Sequence, residues 1–195
     1  MRILTLILSG LLAALAYAAP PPVVEPSAAG MWEQVYPDGR VGGWFLIFDS
    51  NGEYQGAIAK MFLKPGEDPH PICTHCTGDQ KNQPSLGLVI IKGMQRNGLV
   101  YKNGNILDPR DGQVYHAKMT LSADGKQLTV RGYLGIELFG QNQTWRRLPN
   151  DALPQDQVPP NLLPYWLALQ APNGSGKAGA TPGRTGSINI YQPPR

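Results

Sequence analysis

Charge is scarce in this chain: Asp, Glu, Lys and Arg make up 16% of its 195 residues, where an average globular domain has roughly a quarter. The formal net charge of +3 is small and scattered, which excludes the dense basic surface that nucleic-acid binding needs. Two cysteines are too few for a disulfide scaffold. Between Gly30 and Leu148 no stretch of ten or more residues has helical periodicity, which excludes a helix bundle or coiled coil. Apart from the first residues, no run is apolar enough to predict a transmembrane segment. What the chain has in excess is turn formers, with 23 Gly and 19 Pro.

Those turn formers divide the chain. Residues 1–18 read as a signal peptide: Met1-Arg2 is basic, Ile3 to Leu15 is largely apolar, and Ala16-Tyr17-Ala18 is a small-x-small cleavage site. Cleavage after Ala18 and a periplasmic location are the expectation. Residues 19–29 form a Pro-rich leader with polyproline character. One domain is placed at 30–148. A Pro/Gly-rich tail follows at 149–195, whose one apolar cluster, Leu162 to Leu169, is expected to dock as a short helix, and whose composition beyond Pro172 predicts disorder.

Inside the domain, six Asn-Gly or Asp-Gly pairs punctuate segments of strand length: Asp38-Gly39, Asn51-Gly52, Asn97-Gly98, Asn103-Gly104, Asp111-Gly112 and Asp124-Gly125. Such pairs favour tight hairpin turns because both central residues of a type I′ turn need positive φ. The strands fall near residues 30–36, 41–49, 53–62, 86–95, 98–102, 113–121, 127–134 and 136–147. The expected fold is an all-β, eight-stranded antiparallel up-and-down barrel, since closure is how such a meander avoids open edges. Alternation gives a lumen lined by Tyr54, Ile58, Leu88, Ile90, Tyr115, Met119, Leu128, Val130 and Leu138, with the Tyr54 and Tyr115 hydroxyls available to a polar head.

The longest interruption, Leu63 to Ser85, holds both cysteines, spaced Cys73-x-x-Cys76, and two of the three histidines. Haem attachment is excluded because Thr77, not His, follows Cys76. Zinc would need four ligands, and Cys73, Cys76 and His70 supply three. A thioredoxin-type centre would need a strand-to-helix junction. The remaining reading is a structural disulfide between Cys73 and Cys76, as suits an oxidising compartment. No metal or cofactor is expected.

Taken together, Gly30-Met31-Trp32, Cys73-x-x-Cys76 with Leu86-Gly87-Leu88, Gly104-x-Ile106-x-Asp108-Pro109-x-x-Gly112-x-x-Tyr115, Arg131-Gly132-Tyr133 and Thr144-Trp145-x-Arg147 resemble the exported bacterial family catalogued as domain of unknown function 2147. The resemblance covers about Gly30 to Leu148 and implies a periplasmic, lipocalin-like barrel of unestablished role. Lipocalins open their first strand with Gly-x-Trp and cover that Trp with an Arg from the last strand. Gly30, Trp32 and Arg147 fit those structural roles, with Arg146 the competing arginine.

Catalytic groupings are missing from the sequence. His116 falls on an expected outer face, Asp108 precedes Pro109 in a turn, Glu137 is expected to pair with Arg131, and no serine sits in a Gly-x-Ser-x-Gly elbow. The chain is therefore expected not to be an enzyme. The leading expectation is a barrel that binds a small hydrophobic or amphipathic ligand. The alternative is an envelope protein-interaction module that uses the Cys73–Cys76 loop and the tail.

Overall fold

The structure, a computed structural model, describes residues 25–171. Eight strands follow in chain order: β1 (Gly30–Val35), β2 (Val41–Ser50), β3 (Glu53–Met61), β4 (Val89–Asn97), β5 (Val100–Leu107), β6 (Val114–Leu121), β7 (Gln127–Tyr133) and β8 (Gln141–Arg147). Each pairs antiparallel with the next, and β8 pairs with β1 from Trp32↔Arg147 to Val35↔Thr144, so the sheet closes into an up-and-down barrel. The expected signal peptide at residues 1–18, residues 19–24 of the expected leader, and the tail beyond Ala171 lie outside the described residues.

The type I′ expectation holds at one of the six pairs, since of their Asn and Asp residues only Asn51 and Asn103 have positive φ. Asn51 and Gly52 both have positive φ, 57° and 89°, as a type I′ hairpin requires. Asn103-Gly104, read as a turn, instead lies within β5: Asn103 has φ 67°, and the β5–β6 register shifts between Tyr101 and Gly104. That irregularity is a bulge, and β5 continues through it to Leu107. The last strand begins later than expected, at Gln141, because Glu137–Phe139 form a short 3-10 turn.

Alternation sets two faces, and both are apolar on β1–β3. The outward Met31, Leu46 and Phe48 are fully buried, and the cover comes from residues 149–171. Leu153, Val158, Leu162, Trp166 and Leu169 from that segment are buried in the same core. Trp166 and Leu169 are the buried residues of the helix α1 (Leu163–Gln170), which Leu162 caps and which has Pro164 in its first turn, where a missing N–H costs nothing. Tyr165 stacks on Phe48 at 3.9 Å between ring centroids. Asn161 Nδ2 donates to Gly87 O before the helix, and Asn150 Nδ2 donates to Leu169 O at its end. The Leu162–Leu169 cluster thus docks as a helix on the outside of the barrel.

Candidate functional site

The two ends of the barrel differ in chemistry. At one end, Gly30 has φ +144°, and a Cβ there would stand 2.4 Å from Arg147 Nη1. The glycine lets the Arg147 guanidinium lie 4.2 Å from the centroid of the Trp32 ring. Arg147 has no carboxylate partner among the described residues. It donates instead to the backbone oxygens of Ala29, Ser27 and Gly125, and burial holds its guanidinium below the ordinary arginine pKa. Register decides between the two arginines: Arg147 sits opposite Trp32, while Arg146 sits opposite Glu33 and pairs with its carboxylate outside the barrel at 2.8 Å.

Residues 25–29 stopper this end. Trp32 Nε1 donates to Ala28 O and the Ala28 N–H donates to Tyr101 Oη, each at 2.8 Å. Burial pushes the Tyr101 phenol above its ordinary pKa. Arg96 donates to Pro26 O at 2.8 Å, and Tyr54 Oη lies 3.2 Å from Ser27 Oγ. The Tyr54 hydroxyl is therefore engaged at the closed end, not free for a ligand head.

Above this stopper the lumen is filled. Ile47, Ile91, Met94, Tyr101, Met119 and Leu128 are all 0% exposed, so no void large enough for water touches them. Of the lumen residues expected from sequence, Tyr54, Ile58, Met119, Leu128 and Val130 are buried on inward positions, and Tyr115, also inward, is half-buried. Leu88 and Ile90 are buried where the β3–β4 register shifts. That shift seats Ile91, not Ile90, opposite Gly56, which corrects the alternation drawn through Leu88 and Ile90. Leu138 is also corrected: it lies on the 3-10 turn and is 78% exposed, outside any strand that could aim it inward.

Toward the other end the lining changes. The inward positions there are Gln34, Phe45, Ile58, Ile106, Tyr115, Gly132, Gln141 and Gln143, with Trp145 beneath them. Phe45 stacks on Trp145 at 4.2 Å and forms a floor. Above that floor Gln34 Nε2 donates to Gln143 Oε1 at 2.7 Å, and Trp145 Nε1 donates to the same oxygen at 3.3 Å. Gln141 and Gln143 are exposed while Ile106, Tyr115 and Gly132 are half-buried, so solvent enters this half. Sequence reasoning missed Gln34, Phe45, Gln143 and Trp145, and strand register was the only signal that could have found them.

The connections 36–40, 62–88, 108–113 and 134–140 ring this open end. All but Leu167 of the large apolar residues left exposed among the described residues belong to these connections or the strand ends beside them, with Leu138 at 78% and Phe139 at 74%. Arg131 holds their turn in place by donating to the backbone oxygens of Glu137 and Leu138. The Glu137 carboxylate pairs with Lys118 at 2.9 Å, not with Arg131 as expected. His116 is exposed on the outer face beside Tyr133. A shallow outer depression of about 540 Å³ lies between Gln55, Gln80, Leu88, Lys92 and Asn161.

Cys73 and Cys76 form a disulfide, and both are buried. Their loop rests on the β5–β6 connection: Cys73 Sγ lies 3.3 Å from Pro109 O, and a Cβ on Gly112, which has φ +76°, would collide with the His75 backbone oxygen. In that connection the Arg110 guanidinium beside Asp108 holds its carboxyl below the usual carboxylate range. Among the described residues no three His, Cys, Asp or Glu side chains are grouped to hold a metal. Replacing both cysteines by Ala is expected to cost about 2 kcal/mol by loop-closure entropy for so small a ring, with the far-UV spectrum unchanged. Urea unfolding checks this, and loss of the folded baseline would show a larger role.

A closed eight-stranded barrel with a stoppered end, a Gly-x-Trp opening and a covering arginine is a lipocalin-like barrel. The structure is similar to that described as "Protein HP1028 from the human pathogen Helicobacter pylori belongs to the lipocalin family", with TM-score 0.56, 16% identity, and 69% of this chain and 91% of that one covered. The chain belongs to the family described as "Uncharacterized protein conserved in bacteria (DUF2147)", which matches residues 30–147. No curated protein matches it in sequence.

Proposed function

We propose that this protein is a non-catalytic, exported barrel that holds a small apolar or amphipathic molecule in its open half, working in the periplasm after cleavage behind Ala18. One contrast carries the reading. The closed half is filled by its own side chains, whereas the open half is walled by Ile58, Ile106 and Tyr115 together with amides that solvent reaches. Eight-stranded barrels have room for side chains or for one small ligand, and here the two uses divide the lumen.

Native mass spectrometry of protein recovered from its own host, with organic extraction, tests for a bound molecule. Gly132→Ala locates it. A Cβ at Gly132 would meet Ile106 and Tyr115 at ordinary contact distances of 3.4 and 3.6 Å, so the variant should fold while narrowing the mouth. Bound species are expected to fall about tenfold, equivalent to about 1.4 kcal/mol, with the melting temperature unchanged. An undiminished load would place the molecule elsewhere.

The exposed rim favours a second reading, a contact module for an envelope protein that uses the open-end loops, the Cys73–Cys76 loop among them, and the C-terminal tail. Leu138→Asp with Phe139→Asp would then abolish cross-linking to that partner without unfolding the barrel. Under the ligand reading the pair of changes leaves the bound load intact.

A further inference from the structure

We infer that the open half selects an uncharged, hydrogen-bonding head group, such as an amide or alcohol, carried on a short apolar chain; this rests on the ligand-binding reading above. The inward charged side chains on the strands, Asp49, Arg96 and Arg147, all belong to the closed end. There Asp49 accepts from the Gly52 N–H, Arg96 holds the leader, and Arg147 is taken up by three carbonyls. Among the described residues the inward positions of the open half hold no ionisable group except the Tyr115 phenol. On the connections that ring this end, Arg40 pairs with Asp38 and Arg110 with Asp108, while Lys118 pairs with Glu137 on the outer face.

A carboxylate or ammonium head would leave water for a wall that offers no counter-ion, which is costly. A neutral head meets a matched surface instead. Gln143 Oε1 already accepts from Gln34 and Trp145, which fixes the Gln143 amide and leaves its own N–H groups to donate. Below, the Phe45–Trp145 stack and the filled closed half stop the chain, so a long acyl tail has nowhere to go.

The test compares four eight-carbon probes by isothermal titration of the full mature chain at neutral pH: octanamide, 1-octanol, octanoate and octylammonium. Octanamide and 1-octanol are expected to bind at least tenfold more tightly than either ion. Gln143→Leu should remove most of the octanamide advantage while leaving the barrel folded by circular dichroism, and Gln34→Leu serves in its place if that variant does not fold. Octanoate or octylammonium binding as well as octanamide would overturn the head-group inference and leave ligand binding standing. Binding by none of the four would overturn it too. Extraction of the native protein then separates the two failures, because a co-purified molecule would rescue the open-half reading and an empty barrel would end both.

Discussion

Arg147→Met is expected to lower the unfolding free energy by about 3 kcal/mol. The guanidinium donates to Ser27 O, Ala29 O and Gly125 O and lies over Trp32. Each buried carbonyl left without a donor costs about 1–3 kcal/mol where water cannot replace it. The lost cation–π contact adds about 1 kcal/mol. Against this, a cation without a carboxylate partner no longer has to be desolvated, which returns part of the loss. Arg147→Lys should fare little better, since a point charge cannot serve three divergent oxygens as the planar fork does. Urea unfolding at unchanged m-value checks the figure, and a loss under about 1 kcal/mol would show that the stopper at residues 25–29 stands without this arginine. Gly30→Ala should be strongly destabilising in the native background and less so beside Arg147→Met. The steric part of its cost is the clash with Nη1, while the part due to φ +144° persists in both.

The closed end was legible through the resemblance to lipocalins, and its residues match because the chemistry they serve is local. A glycine must let an arginine pass, a Trp must offer its face, and both stand at fixed offsets from strand ends. Which of Arg146 and Arg147 does the covering depends on the pairing of β8 with β1, a relation between residues more than a hundred positions apart that no local pattern encodes. The same limit explains the errors. Asn103-Gly104 carries the same dipeptide as Asn51-Gly52, yet one is a bulge inside β5 and the other a hairpin turn, because only the neighbouring strands decide whether the chain reverses. The bulge between β3 and β4 turned the alternation drawn through Ile90 onto Ile91. Leu138 sits in an apolar, strand-like run, and Arg131 capturing the Glu137 and Leu138 carbonyls bends that run into a 3-10 turn. Gln34 and Gln143 carry no signal as single residues. They become a site only when β1 and β8 close the barrel and bring their amides to 2.7 Å.

The outer wall yields the second large effect. Trp166→Ala is expected to cost about 3–5 kcal/mol, the range for removing a large buried aromatic, because the ring is buried and the neighbouring Tyr165 stacks on Phe48 over the outward face of β2. Trp166→Phe should cost far less. Trp166 Nε1 is buried with no hydrogen-bond partner among the described residues, a condition worth about 1–3 kcal/mol against the native state, so replacing indole by phenyl gives up contact area but removes an unsatisfied donor. The two substitutions thus separate packing from polarity at one position. Ending the chain after Asn173 keeps α1 and all its buried residues, and the melting temperature should hardly move. Ending it before Tyr165 removes Trp166 and Leu169 and uncovers Phe48, so melting should fall and apolar dye binding should rise. Calorimetry on the four proteins decides the matter: equal melting of the two truncations, or no loss of stability in Trp166→Ala, would mean that the helix rests on the barrel without stabilising it, whereas equal losses for Ala and Phe at position 166 would mean that the unsatisfied indole N–H costs nothing.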